Sequence, residues 1–278
     1  MPQLVEPSAW NVVQEATDNG CFETMRAYHG RIFRLEAHLS RLHASCQDLG
    51  LTLPDRRELA RLATDTLASS RLQEAIVRIA LMPRPDGRTA PSIVVRSVSL
   101  PPASAYRRGI RLAIVPTRKF SVNTIDPQAK YSARLGSVLA VLDAQLRRAD
   151  EALWVDAMGY VTESTASNVG IVREGTIVTP PCHLGLLAGI TRDVLFELAA
   201  ALGIRETPLT RHEVYNASEA FLLSTIKEIL PVTSVDGRRI GSGTPPHQTA
   251  WWGGTPGPIA RQLHRAFRQL VHRELHLV

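Results

Sequence analysis

One stretch of this chain, TRKFSVNTIDPQ at 117–128, has neither helical nor strand periodicity and carries Asn, Asp and Pro, so any fold must divide around it. Ahead of it, FETMRAYHGRIFRL (22–35) reads as a hairpin of two short strands around a His29-Gly30 turn. Two helices follow. The first, over 36–49, puts Leu39, Leu42, Cys46 and Leu49 on one face and stops at Gly50; the second, over 55–69, carries Leu59, Leu62, Ala63 and Leu67. Strands are predicted at 74–82 and 92–100, separated by PRPDGRTAP, and a further strand, IRLAIVP, ends at Pro116. The expected architecture is α+β with two domains: a small N-terminal one over 1–116, a linker over 117–128 and a larger, strand-rich C-terminal one over 129–278.

The second part opens with a helix whose apolar positions include Leu135, Val138, Leu139 and Leu142. EALWVDA then reaches a turn at Met158-Gly159, and YVTESTASNVGIV runs on to a turn at Arg173-Glu174-Gly175, followed by TIVTP. LGLLAG leads directly into a helix, ITRDVLFELAAALG, closed by Gly203. EAFLLST and ILPVTSV are strands, Asp236-Gly237 a turn, and a basic amphipathic helix spans about 257–275.

Composition narrows the function classes. The chain is 44% hydrophobic and 21% charged, with no apolar run approaching the ~18 residues of a membrane helix. MPQLVEPSAW lacks the basic and apolar regions of a signal peptide, so the expected location is cytoplasmic, with no membrane partner. Cys21, Cys46 and Cys182 are too few and too scattered for a disulfide framework or a zinc site, and no metal is expected. The net charge of +6 comes from arginines spread among acids, without the basic block of a nucleic-acid module. Among the 32 basic residues only Lys119, Lys130 and Lys227 are lysines. Chemistry that needs a primary amine must use one of these three, because a guanidinium stays protonated.

Several residues combine into a possible site. In LGLLAG-ITRD, Gly189, Ile190 and Thr191 begin a helix, where unpaired N–H groups and the positive end of the dipole seat a phosphate. Taken alone, a threonine there is only a cap. Arg41, in AHLSRLHAS beside the apolar face of the first helix, can close the same phosphate. Glu163, in VTESTASN, is a carboxylate that can keep a pyridine nitrogen protonated, since an opposite charge favours the charged form. Lys130 is a candidate amine for Schiff-base formation and proton transfer, with Lys119 and Lys227 its rivals on composition.

From about Asp18 to Gly243 the chain resembles the fold-type IV enzymes that use pyridoxal 5′-phosphate, among them branched-chain and D-amino acid aminotransferases and 4-amino-4-deoxychorismate lyases. DNGCFETMRAYHG, HLSRLHAS, KYSARLGSVLA, DEALWVDAMGYVTESTASN, GTIVTPP, LAGITRDV, SEAFLLSTIKEILPV and SVDGRRIGSG carry the resemblance in register. It implies Lys130 as the Schiff-base lysine and Glu163 as the pyridine-nitrogen partner. Arg41, Ile190, Thr191 and Thr225 would hold the phosphate, and Phe22, Arg26 and Ile226 would contact substrate. It also implies a homodimer acting on an amino acid and a 2-oxo acid.

The sequence departs from the family pattern at the substrate side. Leu135 stands where branched-chain aminotransferases carry tyrosine, Ala133 replaces an asparagine, and KYSARLGSVLA lies closer to the D-amino acid aminotransferase and lyase versions. RIALMPRPDGRTAP lacks the usual Arg-Gly turn, which leaves Arg26, Arg78 or Arg84 as the carboxylate partner, Arg26 first. The expected function is an aminotransferase, with the D-amino acid type open to it; the alternative is the lyase, which releases pyruvate.

Overall fold

The computed structural model describes residues 20–84, 86–117, 126, 128–241 and 256–277. Most of the expected linker, and Lys119 within it, lie outside these residues. The fold is α+β, and the described residues build two sheets, of four and ten strands.

The four-stranded sheet, order β2-β1-β3-β4, starts with the hairpin β1 (Cys21–Tyr28) and β2 (Arg31–Ile32). His29 and Gly30 both take positive φ, 48° and 73°, a two-residue turn whose twist matches the strands it joins. Helices α1 (Leu35–Asp48) and α2 (Arg56–Ser70) cover one face of this sheet, and β3 (Ala75–Pro83) and β4 (Thr89–Ser97) complete it. Leu39, Leu42, Cys46, Leu59, Ala63 and Leu67 recur at helical spacing and are buried against Met25, Val77, Ile79 and Leu81. Asp55 caps α2 by accepting from the Arg57 and Glu58 N–H groups.

After the short helix α3 (Ala103–Arg108) comes β5 (Ile110–Ile114). This strand, expected in the first part, belongs to the larger sheet, parallel to both β13 (Glu228–Val235) and β6 (Glu151–Val155). The reason is burial on both faces. Ile110, Leu112 and Ile114 point into one core while Ala113 packs in another, a pattern that requires a central position in a sheet.

The rest of the large sheet comprises β7 (Tyr160–Ser164), β8 (Asn168–Arg173), β9 (Thr176–Thr179), β10 (Ile204–Glu206), β11 (Leu209–Thr210), β12 (Glu219–Ser224) and β14 (Arg238–Arg239). Its order is β10-β9-β8-β12-β13-β5-β6-β7-β11, with β14 on β13. A β7–β8 pairing closes six of these strands into a ring, filled by inward residues such as Leu153, Val161, Ile171, Leu222 and Leu230. YVTESTASNVGIV is therefore two strands, broken where the Ser164 N–H donates to the Ser167 carbonyl at 2.8 Å.

Helices α5 (Ile190–Ala199) and α7 (Pro258–Glu274) cover one outer side of the ring through Val194, Leu195, Leu263 and Phe267. Helix α4 (Leu135–Leu146) packs through Ala140 and Ala144 on Ala113, Ala152 and Trp154, and it leaves Leu135, Leu139, Leu142 and Leu146 exposed. The short helix α6 (Arg211–Tyr215) starts with a capping box between Thr210 and Glu213. No helix among the described residues is long and apolar enough to cross a membrane.

Glu228 ties the two sheets and α7 together. Its carboxylate accepts from Arg26 Nη1 at 2.7 Å, Tyr28 Oη at 2.9 Å and Arg268 Nη1 at 2.9 Å, and lies 2.7 Å from His264 Nε2. Burial alone would raise this carboxyl. The His264 hydrogen bond and the Arg26 and Arg268 charges outweigh burial and hold it at about 2.

Candidate active site

A cavity of about 430 Å³ lies where the start of β1, α1, the segment before α4, the β7–β8 turn, the N-terminus of α5 and the β12–β13 turn meet. Lys130 lines it, and three hydrogen bonds hold the backbone at and beside it. Its carbonyl accepts the Phe22 N–H at 3.0 Å, Ser132 N–H donates to Gly20 O at 2.7 Å, and Lys130 N–H donates to Ser45 Oγ of α1 at 2.9 Å. Its Nζ stands 5.0 Å from the centroid of the Phe22 ring. Burial pushes this amine down to about 8; Glu23 and Glu163 pull upward, while Arg41 and Arg134 push it further down. About a tenth of the amine is then neutral at pH 7, where a free lysine would have well under a thousandth.

Arg41 faces the same cavity and is fixed by a buried acid. Its Nε and Nη2 donate to the two oxygens of Glu23 at 2.6 and 2.9 Å, and Nη1 donates to Ala188 O at 2.6 Å. His38 Nδ1 lies 2.8 Å from Glu23 Oε2. Burial would raise Glu23, but the charges of Arg41 and His38 hold it far below the usual carboxylate range. Arg41 is thereby aimed beside the first turn of α5, where Gly189, Ile190 and Thr191 line the cavity and no side chain caps the helix. Thr225 and Ile226 reach the cavity from the β12–β13 turn. A guanidinium, a hydroxyl pair and an uncapped helix N-terminus are donors of the kind that can take an anion such as a phosphate.

Glu163 is positioned by backbone register. It pairs with Asn168 across the β7–β8 closure, and its Oε2 accepts from Asn168 Nδ2 at 3.1 Å and from Leu187 N–H at 3.2 Å. Gly189 permits this approach of α5, because an added Cβ would run into Asn168 Oδ1. Three buried polar atoms on cavity-lining residues have no partner: Trp154 Nε1, Ser164 Oγ and Ser167 Oγ.

Of the residues singled out from the sequence, Lys130, Arg41, Glu163, Ile190, Thr191, Thr225, Phe22 and Ile226 all line this one cavity. Arg26 does not. It is 1% exposed, with its guanidinium committed to Glu228 and Glu74, so it cannot meet a substrate carboxylate. Lys227 lines the cavity, but its ammonium is paired with the buried Glu151, which also accepts from Thr165 Oγ1. Glu23, Ser45, Asn168 and Arg134 are the residues that sequence reasoning passed over. Glu23 had a signal: His38 and Arg41 are three apart on one helix and present two partners for a single acid.

The lowered basicity of Lys130 has a measurable consequence. In the cofactor-free protein its modification by a water-soluble acylating reagent, followed by peptide mass spectrometry, is expected to rise with pH to a midpoint near 8. A midpoint above 10, as for a solvated lysine, would show that the cavity does not tune the amine.

Residues 20–235 match the model of the amino-transferase class IV family. A Methanocaldococcus jannaschii protein provisionally named a branched-chain-amino-acid aminotransferase is 37% identical over 81% of each chain. The branched-chain-amino-acid aminotransferase of Pseudomonas aeruginosa is 32% identical over 91% of this chain and 84% of its own. Among solved structures, the branched-chain amino acid aminotransferase of Thermobaculum terrenum, in its PLP form, superposes with a TM-score of 0.83 at 27% identity, covering 93% of this chain and 87% of that one.

Proposed function

The chain belongs to the class IV aminotransferases and uses pyridoxal phosphate, and from that premise we propose that it moves amino groups between branched-chain amino acids and 2-oxo acids with Lys130 as the reacting amine. The observation that carries the reading is one cavity holding a weakly basic lysine, an anion seat and a fixed carboxylate. The branched-chain names of the relatives favour this substrate class over the D-amino acid and lyase alternatives.

The cavity suits the cofactor by its donor set. Arg41, the Ile190 and Thr191 N–H groups and the Thr191 and Thr225 hydroxyls would take a phosphate, Glu163 would face a ring nitrogen, and Ser164 and Ser167 present unpartnered hydroxyls. When bound, pyridoxal phosphate supplies an aldehyde for the amine and a protonated ring that draws electrons from the substrate α-carbon.

The protein's own part is holding and moving protons. Glu163, kept in place by Asn168 and Leu187, would favour the protonated form of a ring nitrogen facing it. Lys130, when free, would be the base that takes the proton from the substrate α-carbon and delivers it on the far side of the substrate nitrogen. Its depressed basicity keeps a working fraction neutral at physiological pH. Glu23 keeps Arg41 aimed at the phosphate, and Phe22, Leu187, Leu223 and Ile226 supply apolar wall for an aliphatic side chain.

We place the protein in the cytoplasm as a homodimer. Free thiols at Cys21, Cys46 and Cys182 support a reducing compartment. The stripe of Leu135, Leu139, Leu142 and Leu146, 48–85% exposed, supports a subunit interface on α4. Leu139→Glu combined with Leu142→Glu is expected to turn a dimer into a monomer by light scattering; a double variant that stays dimeric would place the interface elsewhere.

The function is tested by mixing the holoenzyme with single amino acids of both hands. Branched-chain amino acids should convert the cofactor spectrum and release one oxo acid per site, and Lys130→Ala should slow this at least ~1,000-fold. No conversion by any amino acid, with pyruvate formed from aminodeoxychorismate, would favour the lyase instead.

A further inference from the structure

The β12–β13 turn brings Thr225 and Ile226 to the cavity, and the present inference rests on the reading above, in which Ile226 is part of the wall for an aliphatic side chain. Where that wall stands is decided by the backbone of the turn. Ser224 and Glu228 pair across it, and Lys227 N–H donates to Ser224 Oγ at 3.2 Å. Glu228 leaves the turn at φ 55°, in the left-handed region that favours glycine. A non-glycine residue persists there only when its surroundings hold it.

Two successive carbonyls of this turn are bonded from outside the cavity. Arg26 Nη1 of β1 donates to Ile226 O at 3.3 Å, and Tyr106 Oη of α3 donates to Lys227 O at 3.1 Å. Neither donor lines the cavity. Burial and the Glu228 charge push Tyr106 up to about 12, so the phenol keeps the proton it donates.

One carboxylate orders both donors. Arg26 Nη1 also donates to Glu228 Oε1 at 2.7 Å. The Tyr106 ring stacks on His264 of α7, with centroids 4.9 Å apart and planes inclined by 11°, and His264 Nε2 lies 2.7 Å from Glu228 Oε2. Elements from the small sheet, from α3 and from α7 thus converge on a single peptide unit beside Ile226. On its other side the Lys227 ammonium is paired with the buried Glu151.

We propose that Arg26 and Tyr106, aligned by Glu228, are positioning residues that set where Ile226 stands and thereby which side-chain length the cavity prefers. Arg26 acts on the substrate through a backbone carbonyl, without touching it. Loss of either carbonyl bond lets the turn shift, and an extended aliphatic chain then loses its fit while a short one has little to lose.

The test uses the holoenzyme and two unreactive probes, 4-methylpentanoate and propanoate, with affinities from titration calorimetry. Both carry the same carboxylate, so their ratio reads the side-chain wall alone. The wild type is expected to prefer 4-methylpentanoate at least ~10-fold. Tyr106→Phe keeps the ring on His264 and removes only the hydroxyl. It should lower the preference at least ~3-fold by weakening 4-methylpentanoate, with propanoate changed less than about twofold. Arg26→Lys, whose single ammonium replaces the guanidinium fork, should act in the same direction. Thr233→Val serves as the structural control, because Thr233 Oγ1 donates to Arg108 O at 3.0 Å and so ties α3 to β13 away from the cavity. That variant should lower Tm and leave the preference intact. The proposal is rejected if the wild type shows no preference, if Tyr106→Phe or a folded Arg26→Lys retains it in full, or if Thr233→Val lowers it equally. Should Arg26→Lys not fold, Tyr106→Phe decides alone. Failure of the transferase reading would look different, as a wild-type holoenzyme that moves no amino group whatever these affinities are.

Discussion

The buried ion pair between Glu23 and Arg41 is the interaction on which the site depends. Glu23 is fully buried on β1, Arg41 projects from α1, and the third guanidinium nitrogen of Arg41 reaches Ala188 just ahead of α5. One carboxylate thus couples the small sheet, its covering helix and the α5 end of the cavity. An isolated carboxylate at that depth would protonate, and an isolated guanidinium would have to be hydrated; each makes the other tolerable. The same α1 supplies Ser45, which holds the Lys130 backbone, so the amine and the anion seat share one rigid support.

The electrostatics of the amine follow from that arrangement. Two arginines and two carboxylates act on Lys130 with opposing signs, and burial decides the net direction. The arginines also have separate structural anchors, Arg41 on Glu23 and Arg134 on the Thr165 carbonyl.

Much of this was legible in the sequence because the relevant signals are local. His29-Gly30, the Leu39/Leu42/Cys46 spacing and the glycine ahead of Ile190-Thr191 each act within a few residues, and the structure realises each. The failures involve partners far apart in the chain. Period-two alternation puts Phe22, Thr24 and Arg26 on one face of β1, but it cannot reveal that Arg26 meets Glu228, 202 residues away. IRLAIVP reads as a strand from its own residues, while its membership of the larger sheet depends on β13 and β6. The spacing of Leu135, Val138, Leu139 and Leu142 marks a helix, but which side of α4 packs inward depends on Ala140 and Ala144 meeting Ala113, Ala152 and Trp154.

The central claim is that Lys130, rather than another of the three lysines, carries the cofactor. Borohydride reduction of the holoenzyme followed by proteolysis and peptide mass spectrometry tests it directly. The account predicts a phosphopyridoxyl group on the peptide containing Lys130 and on no other. A label on Lys227 or Lys119, or no label at all, would contradict it.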